Sequence, residues 1–283
     1  MSDSSYNRRD FVRQGVKGLA GLLGNLRGDE APYQKVEAGD IRIMSAMADY
    51  PGGDQRIPAF IARPDPPGVY PAVIVLHDDN GLGDHIKEVA IRLAREGFVA
   101  IAPDLFFRAK PPADRDGHQG MPVHTIPDAS ILSDLEATVE HLDVLTFVDA
   151  KRLGVIGFGM GGLYAYLFAA KTTRLAAAVD FYGPVAPERS PQKPEAPIDV
   201  VPRVNCPILG IFGGSDPEIP VADVHALRDT MISYRKSFEI KIYPNAPSAF
   251  FNETSASYRA DMAQDAWNRA LSFFWKYLRG TQT

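Results

Sequence analysis

Short, continuous apolar runs alternate with amphipathic segments along most of the chain, and this alternation limits the possible folds more than any other feature. The runs at 72–76 and 98–102 are typical of strands that are buried on both faces of a sheet. Strands that alternate with helices are usually parallel and joined by right-handed crossovers. The sequence therefore predicts a single-domain α/β fold with a mainly parallel, doubly wound sheet and helices on both faces.

The other predicted elements keep the same alternating order. A helix is predicted at 129–145, with Asp134, Glu136 and Glu140 on its outer side. Long polar loops are predicted from 107 to 127 and from 184 to 202 because they are rich in proline and charge. The remaining strands are expected at 41–47, 57–62, 153–156, 176–181, 208–212 and 238–243, and the remaining helices at 86–96, 160–170, 221–234 and 258–278.

Composition and charge exclude several classes of protein. The chain has 283 residues with a formal net charge of -5 and no basic stripe, which argues against binding to nucleic acid. No apolar stretch reaches the roughly 18 residues that a membrane-spanning helix needs. The single cysteine, Cys206, cannot form an intrachain disulfide and is expected to be a buried hydrophobe. We divide the chain into an N-terminal arm at 1–39 and an α/β domain at 40–283.

The N-terminal arm contains a possible export signal. Residues 5–12 include Arg8 and Arg9 and resemble a twin-arginine signal, which is an address read by a receptor. A weakly apolar stretch follows at 15–26, without an evident cleavage site. We therefore expect a periplasmic protein, with a cytoplasmic protein that has a short amphipathic arm as the alternative.

Residues able to do chemistry follow several of the predicted strands directly. In open α/β sheets, binding and catalysis take place at the carboxyl ends of the strands, where these residues are expected to meet. The residues concerned are Asp78 and Asp79 after the third strand, Arg108 after the fourth, the glycine-rich turn 157–162 after the fifth, Asp216 after the seventh and Ser248 after the eighth.

In this order and spacing, the segments resemble the dienelactone hydrolase family from about residue 40 to the C-terminus. The resemblance implies an α/β-hydrolase fold that works without a cofactor or metal. It also implies a cysteine nucleophile in the middle of the turn, a position that Gly159 occupies here. The family's triad aspartate corresponds to Asp216, and its triad histidine corresponds to Ser248.

Two of these three positions cannot support the family's chemistry. Gly159 has no side chain and cannot form an acyl-enzyme, and a serine hydroxyl at 248 cannot act as the general base. The resemblance assigns the oxyanion-hole N–H groups to Met160 and Asp79, although a carboxylate at 79 opposes a developing negative charge. The remaining pocket residues implied by the family are Asp78, in place of its glutamate, and Arg108, in place of an arginine that receives an anionic group.

The sequence supports a pseudoenzyme, a non-catalytic member that binds a small anionic ligand or a protein partner. One alternative is a carboxylic-ester or lactone hydrolase that uses His118 and His124 from the long loop together with the nearby aspartates. Another is an inactivated variant of an active hydrolase. An ion pair is an alternative role for Arg108, and His77 is expected to be a hydrogen-bonded structural residue.

Overall fold

The computed structural model describes residues 42–109 and 126–278, so the N-terminal arm with its predicted export signal lies outside it. The described strands form one sheet in the order β1-β2-β4-β3-β5-β6-β7-β8. They are β1 (Ile43–Gly52), β2 (Gln55–Pro64), β3 (Tyr70–Leu76), β4 (Val99–Pro103), β5 (Val148–Phe158), β6 (Leu175–Phe181), β7 (Ile208–Gly213) and β8 (Phe238–Tyr243).

Helices follow most of the parallel strands. The strands from β4 through β3 to β8 run parallel, whereas β2 is antiparallel to both β1 and β4. This arrangement confirms the predicted α/β fold with a mainly parallel sheet. The helices are α1 (Asp84–Arg95), α2 (Asp128–Asp143), α3 (Met160–Lys171), α4 (Pro197–Val200), α5 (Val221–Ser233) and α6 (Ala260–Leu278).

The main differences from the predicted boundaries fall at three places. The first two strands extend to a tight turn, because all ten residues of β1 pair with β2. The β5 strand begins at Val148, earlier than predicted, because the mostly polar residues 149–152 hide its first part. Its pairing with β3 shifts register in this part. The loop predicted at 184–202 contains the short helix α4, whose first position is Pro197, a favourable place for proline.

Helices cover both faces of the sheet. On one face α1 adjoins α6, where the Arg92 guanidinium lies 4.4 Å from the centre of the Trp267 ring. On the other face α2 and α3 pack together against the sheet. Aromatic side chains pack the last helix against the rest of the fold, since Phe274 is fully buried and the ring of Trp275 lies 4.5 Å from that of Phe98 in a tilted arrangement. Within the described ranges, no helix is long and apolar enough to cross a bilayer.

The first turn of α3 approaches the sheet more closely than any side chain allows. A β-carbon on Gly157 would lie 1.9 Å from the carbonyl oxygen of Gly161, and one on Gly161 would lie 2.3 Å from that of Leu76. A β-carbon on Gly162 would lie 2.0 Å from the carboxylate of Asp180. These glycines therefore fix the position at which the chain leaves β5 and enters α3.

Gly161→Ala is expected to destabilise the protein strongly, because the obstructing atoms are backbone atoms of β3 that cannot move independently. Gly83→Ala is the matched control, since a β-carbon there meets no atom within 4 Å and the φ of Gly83 is -82°. Urea denaturation should give a loss of about 3 kcal/mol or more for Gly161→Ala and about 1 kcal/mol or less for Gly83→Ala, which replaces the N-cap glycine of α1. Equal stabilities of the two variants would contradict the close packing described here.

Candidate active site

The loops that follow β3, β5, β6, β7 and β8 meet at the carboxyl edge of the sheet. The loops after β7 and β8 are joined directly, since the N–H of Ser215 donates to the carbonyl of Ala246 at 3.0 Å. The turn after β5 meets the end of β6, where the N–H of Gly159 donates to the carbonyl of Phe181 at 2.9 Å. The residues predicted from the third, fifth, seventh and eighth strands therefore share one edge of the molecule.

Gly159 forms a sharp turn between β5 and α3. Its φ of 53° and ψ of -119° belong to a region that side chains rarely tolerate. A β-carbon at this position would nevertheless lie at an acceptable 3.4 Å from the β-carbon of Asp78, so the turn has room for a small side chain. The N–H of Met160, the first residue of α3, has no acceptor within the helix and is available at this edge.

The turn after β3 is held by its own polar groups. Asp78 is half-buried, and its Oδ1 accepts a hydrogen bond from the N–H of Asn80 at 2.9 Å. The carboxylate-bearing Asp79 beside it is exposed. His77 is fully buried, with Nδ1 at 2.7 Å from the carbonyl of Asp78 and Nε2 accepting from the N–H of Leu105 at 2.9 Å. The predicted structural role of His77 is confirmed.

Asp216 is buried beside the loop that carries Ser248. Its side chain is 7% exposed, and Oδ1 accepts a hydrogen bond from the N–H of Glu218 at 2.9 Å. Its Oδ2 is buried and has no hydrogen-bond partner among the described residues. Ser248 is half-buried and precedes Ala249, whose φ of 54° is unusual for a residue with a side chain. A carboxylate oxygen that lacks a donor is therefore part of the site.

Tyr182, which the sequence analysis missed, lies at the same edge immediately after β6. Its φ is 45°, its side chain is 4% exposed, and its hydroxyl has no partner in the described part of the chain. Burial raises the pKa of this phenol well above its usual value, and the carboxylates of Asp78, Asp180 and Asp216 raise it further. The hydroxyl is therefore protonated at neutral pH. Examination of the residue that follows every strand would have found Tyr182.

His85, also missed, lies in the first turn of α1. Its ring packs edge-on against Phe158 at 5.7 Å and Phe251 at 5.8 Å, and its Nε2 is buried without a partner in the described residues. Burial lowers the pKa of this imidazole, although the nearby carboxylate of Asp78 opposes the shift. The imidazole is therefore neutral at pH 7, and its free nitrogen is shielded from solvent.

Arg108 forms an ion-pair network away from Gly159. Its Nε lies 2.9 Å from Asp134 Oδ2, and its Nη2 donates to Asp134 Oδ1 at 2.8 Å and to the carbonyl of Gly52 at 2.7 Å. Gly52 ends β1, which is four strands from β5 in the sheet order. The ion-pair role of Arg108 is thus confirmed, and the prediction that Asp134 lies on the outer side of its helix is wrong. The Asp134 side chain is only 4% exposed, and its buried carboxylate pairs with the Arg108 guanidinium.

His118 and His124, which were predicted to line the pocket, lie outside the described residues. Among the described residues there is no group of histidine, cysteine, aspartate and glutamate that could hold a metal ion. The thiol of Cys206 is buried as expected, and burial raises its pKa to about 12. This thiol is therefore an unreactive part of the core.

A cavity of about 420 Å³ lies beside α2 and α3. The strand-end residues take no part in its lining, so it is separate from the edge at Gly159. Asp128, which contributes to its lining, forms an ion pair with Lys193 at 3.1 Å. The lining residues are Asp128, Ala129, Leu132, Leu167, Ala170, Lys171, Pro194, Glu195, Val200 and Arg203.

Comparison with known proteins identifies the family of this fold. The model of the dienelactone hydrolase family matches residues 57–278. A protein of Escherichia coli strain K12, provisionally named a carboxymethylenebutenolidase, is 35% identical over 246 residues, which cover 86% of this chain and 90% of that protein. A Bradyrhizobium protein, provisionally named a 2-oxo-3-(5-oxofuran-2-ylidene)propanoate lactonase, is 37% identical over 82% of this chain and 93% of its own length.

A solved structure agrees with this assignment. The crystal structure of a provisionally assigned dienelactone hydrolase from Klebsiella pneumoniae superposes with a TM-score of 0.79 and 35% identity. It covers 83% of this chain and all of the Klebsiella chain. A dienelactone hydrolase-like phosphotriesterase from metagenomic libraries, at 22% identity and a TM-score of 0.69, shares the fold.

Arg108→Met is expected to destabilise the protein by about 2 kcal/mol, because it leaves the buried carboxylate of Asp134 without its partner. Arg174→Met is the matched control, since Arg174 forms a two-bond pair with Asp143 in which both side chains are at least 33% exposed. Its loss should cost less than about 1 kcal/mol in the same urea titrations. A similar small cost for both variants would show that the Arg108 network is not structural.

Proposed function

This chain belongs to the dienelactone hydrolase family, and from that premise we propose that it is a non-catalytic member, a binding protein that uses the family's site without its reaction. One observation carries the proposal: residue 159 forms the strained turn after β5 and has no side chain. The family's cysteine nucleophile corresponds to this residue. A nucleophile on the chain at this point is a requirement for an acyl-enzyme, and glycine offers none.

The described residues at this edge offer no accessible base, which supports the same proposal. The family's histidine corresponds to Ser248, and a hydroxyl cannot hold a proton near neutral pH. Two described imidazoles lie near this edge: both nitrogens of His77 are engaged in hydrogen bonds, and the free nitrogen of His85 is buried between aromatic rings. Asp216 has a buried oxygen without a donor, and the aspartate of a triad normally accepts the N–H of the histidine. The contacts at this edge therefore support binding rather than acyl transfer.

The names of the relatives describe hydrolases and lactonases, and those activities depend on groups that this chain lacks at the corresponding positions. Members of a catalytic triad act as a unit, so the loss of one member removes most of the rate enhancement. Backbone donors such as the N–H of Met160 remain and contribute a small residual effect. We infer that the retained part of the site is the part that recognises a ligand.

The combined change Gly159→Cys and Ser248→His should restore hydrolysis of p-nitrophenyl acetate and of a dienelactone, whereas the unmodified chain should match the buffer rate. The restored pair supplies a nucleophile and a base beside Asp216, and general-base catalysis typically contributes at least about a hundredfold. The control is Gly159→Ala with Ser248→His, which has the base and the strained turn but no nucleophile. Initial rates of the three proteins measure the effect.

Thiol labelling makes this test interpretable. Because Cys206 is buried and its thiol pKa is raised to about 12, a thiol reagent should label the native double variant once, at residue 159. Ester hydrolysis by the unmodified chain far above the buffer rate would contradict the proposal. A labelled, folded double variant without turnover would also contradict it, since the retained scaffold would then be insufficient for the family's reaction.

A further inference from the structure

The strand β8 forms one edge of the sheet, and in the described part of the chain it pairs with β7 alone. The carbonyls of Ser237 and Tyr243 accept N–H groups from β7 and from the residue that follows it, at 3.1 and 2.8 Å. Backbone groups alternate in direction along a strand, so those of Phe238, Ile240 and Ile242 point away from β7. In the described fold, this edge therefore presents free N–H and C=O groups to another strand.

The side chains of β8 differ between the two faces of the sheet. Phe238, Ile240 and Ile242 are half-buried and pack against the core on one face. Glu239 and Lys241 lie on the other face, because successive side chains of a strand alternate. The Glu239 carboxylate is 54% exposed and approaches a lysine of α6 at 3.0 Å. A strand that pairs with this edge therefore meets an apolar row on one face and two opposite charges on the other.

A second copy of β8 can pair with this edge in the antiparallel direction, about a two-fold axis at Ile240. Ile240 then lies opposite its own equivalent, and Phe238 lies opposite Ile242 of the second copy, so that the outward-facing backbone groups meet. Glu239 lies opposite Lys241 of the second copy, and symmetry generates the same pair a second time. Opposite charges and pairs of an aromatic with a β-branched residue both stabilise neighbouring antiparallel strands.

The neighbouring registers of the same strand pair are unfavourable. The outward-facing backbone groups also meet when the axis moves by one residue, to Glu239 or to Lys241. An axis at Glu239 places the two glutamates opposite each other, and an axis at Lys241 does the same with the two lysines. Like charges directly opposite each other destabilise a strand pair. The charges of β8 therefore select the register centred on Ile240.

The other edge of the sheet, β1, lacks this pattern. Its single charged residue, Asp49, is already paired with Arg56 of the neighbouring strand at 2.8 Å. Pro51 has no N–H to offer to another strand. The segment that leads into β8 instead adds apolar surface, since Ile232 and Tyr234 are 58% and 54% exposed. Of the two edges, β8 is the one suited to a partner.

We propose that two copies of this chain associate through their β8 strands, which pair antiparallel about a two-fold axis at Ile240 and join the two sheets into one. A two-fold interface uses the same patch of both copies, so the patch must be complementary to itself. The alternation of Glu239 and Lys241 around Ile240 meets that requirement. This inference goes beyond the proposed binding function and does not depend on it.

Sedimentation equilibrium of the full chain is the first test. We expect the average mass to rise with concentration from 31.0 kDa towards twice that value, with a dissociation constant on the order of 10 µM. Hydrogen exchange of the amide of Ile240 should slow over the same range of concentration. A mass of 31.0 kDa that persists to concentrations about tenfold above the expected constant would overturn the proposal. Slow exchange in such a monomer would assign the edge to another segment of the same chain.

Charge reversal identifies the interface. Glu239→Lys and Lys241→Glu each convert both cross-strand pairs of the dimer into like-charge pairs, so each should weaken association at least about tenfold. The combined exchange of the two residues restores opposite charges in the same register, and it should recover most of the affinity. A combined variant that associates as weakly as the single variants would contradict the assigned register. Melting temperatures should show that all three variants are folded.

Glu88→Lys is the matched control for Glu239→Lys. The Glu88 carboxylate is 48% exposed and approaches Arg95 on the same helix at 3.5 Å, so the substitution removes a similar surface ion pair. It changes the net charge by the same amount. Association of Glu88→Lys should equal that of the unmodified chain. If it is weakened as much as that of Glu239→Lys, the effect comes from net charge and the β8 interface is wrong. Ester hydrolysis by the chain would refute the non-catalytic role without changing any of these masses.

Discussion

The close approach of the first turn of α3 to the sheet is the constraint on which the site depends. Only glycine fits at 157 and 161, because the carbonyl groups of Gly161 and Leu76 occupy the space of a side chain. This contact fixes the turn at Gly159 and makes Met160 the first residue of α3, where its N–H has no acceptor within the helix. The same packing brings Gly159 next to Asp78. The backbone geometry of the site is therefore set by the packing of α3 on the sheet.

The backbone conformation of the site does not require a catalytic side chain at residue 159 or 248. Positive φ angles at Gly159, Tyr182 and Ala249 lie together where β5, β6 and β8 end, and conformations of this kind typically cost a residue with a side chain about 1–3 kcal/mol. The surrounding core offsets that cost through a fully buried group of aromatic rings that includes Phe158 and Phe250. In our proposal, this core preserves a polar edge suited to ligand binding after the loss of nucleophile and base.

The sequence predicted the features that depend on local pattern and missed those that depend on distant contacts. Apolar runs located the strands, and the position of a residue after its strand located Asp78, Gly159 and Asp216. Helical periodicity placed the charged Asp134 on the outer side of its helix. The partner that allows its burial, Arg108, is 26 residues away and is not visible in a local pattern. The role of Tyr182 depends on its backbone angle and on carboxylates from three strand ends, and neither is visible in a local pattern.

In our proposal no covalent intermediate forms on this chain, and intact-protein mass spectrometry would detect such an intermediate. The unmodified protein is mixed with excess p-nitrophenyl acetate, quenched in acid within seconds, and weighed beside a sample unfolded before mixing. We expect the native protein to gain no acetyl group beyond that of the unfolded sample. A stoichiometric acetyl adduct that forms only on the native protein, and that disappears as the ester is consumed, would contradict it.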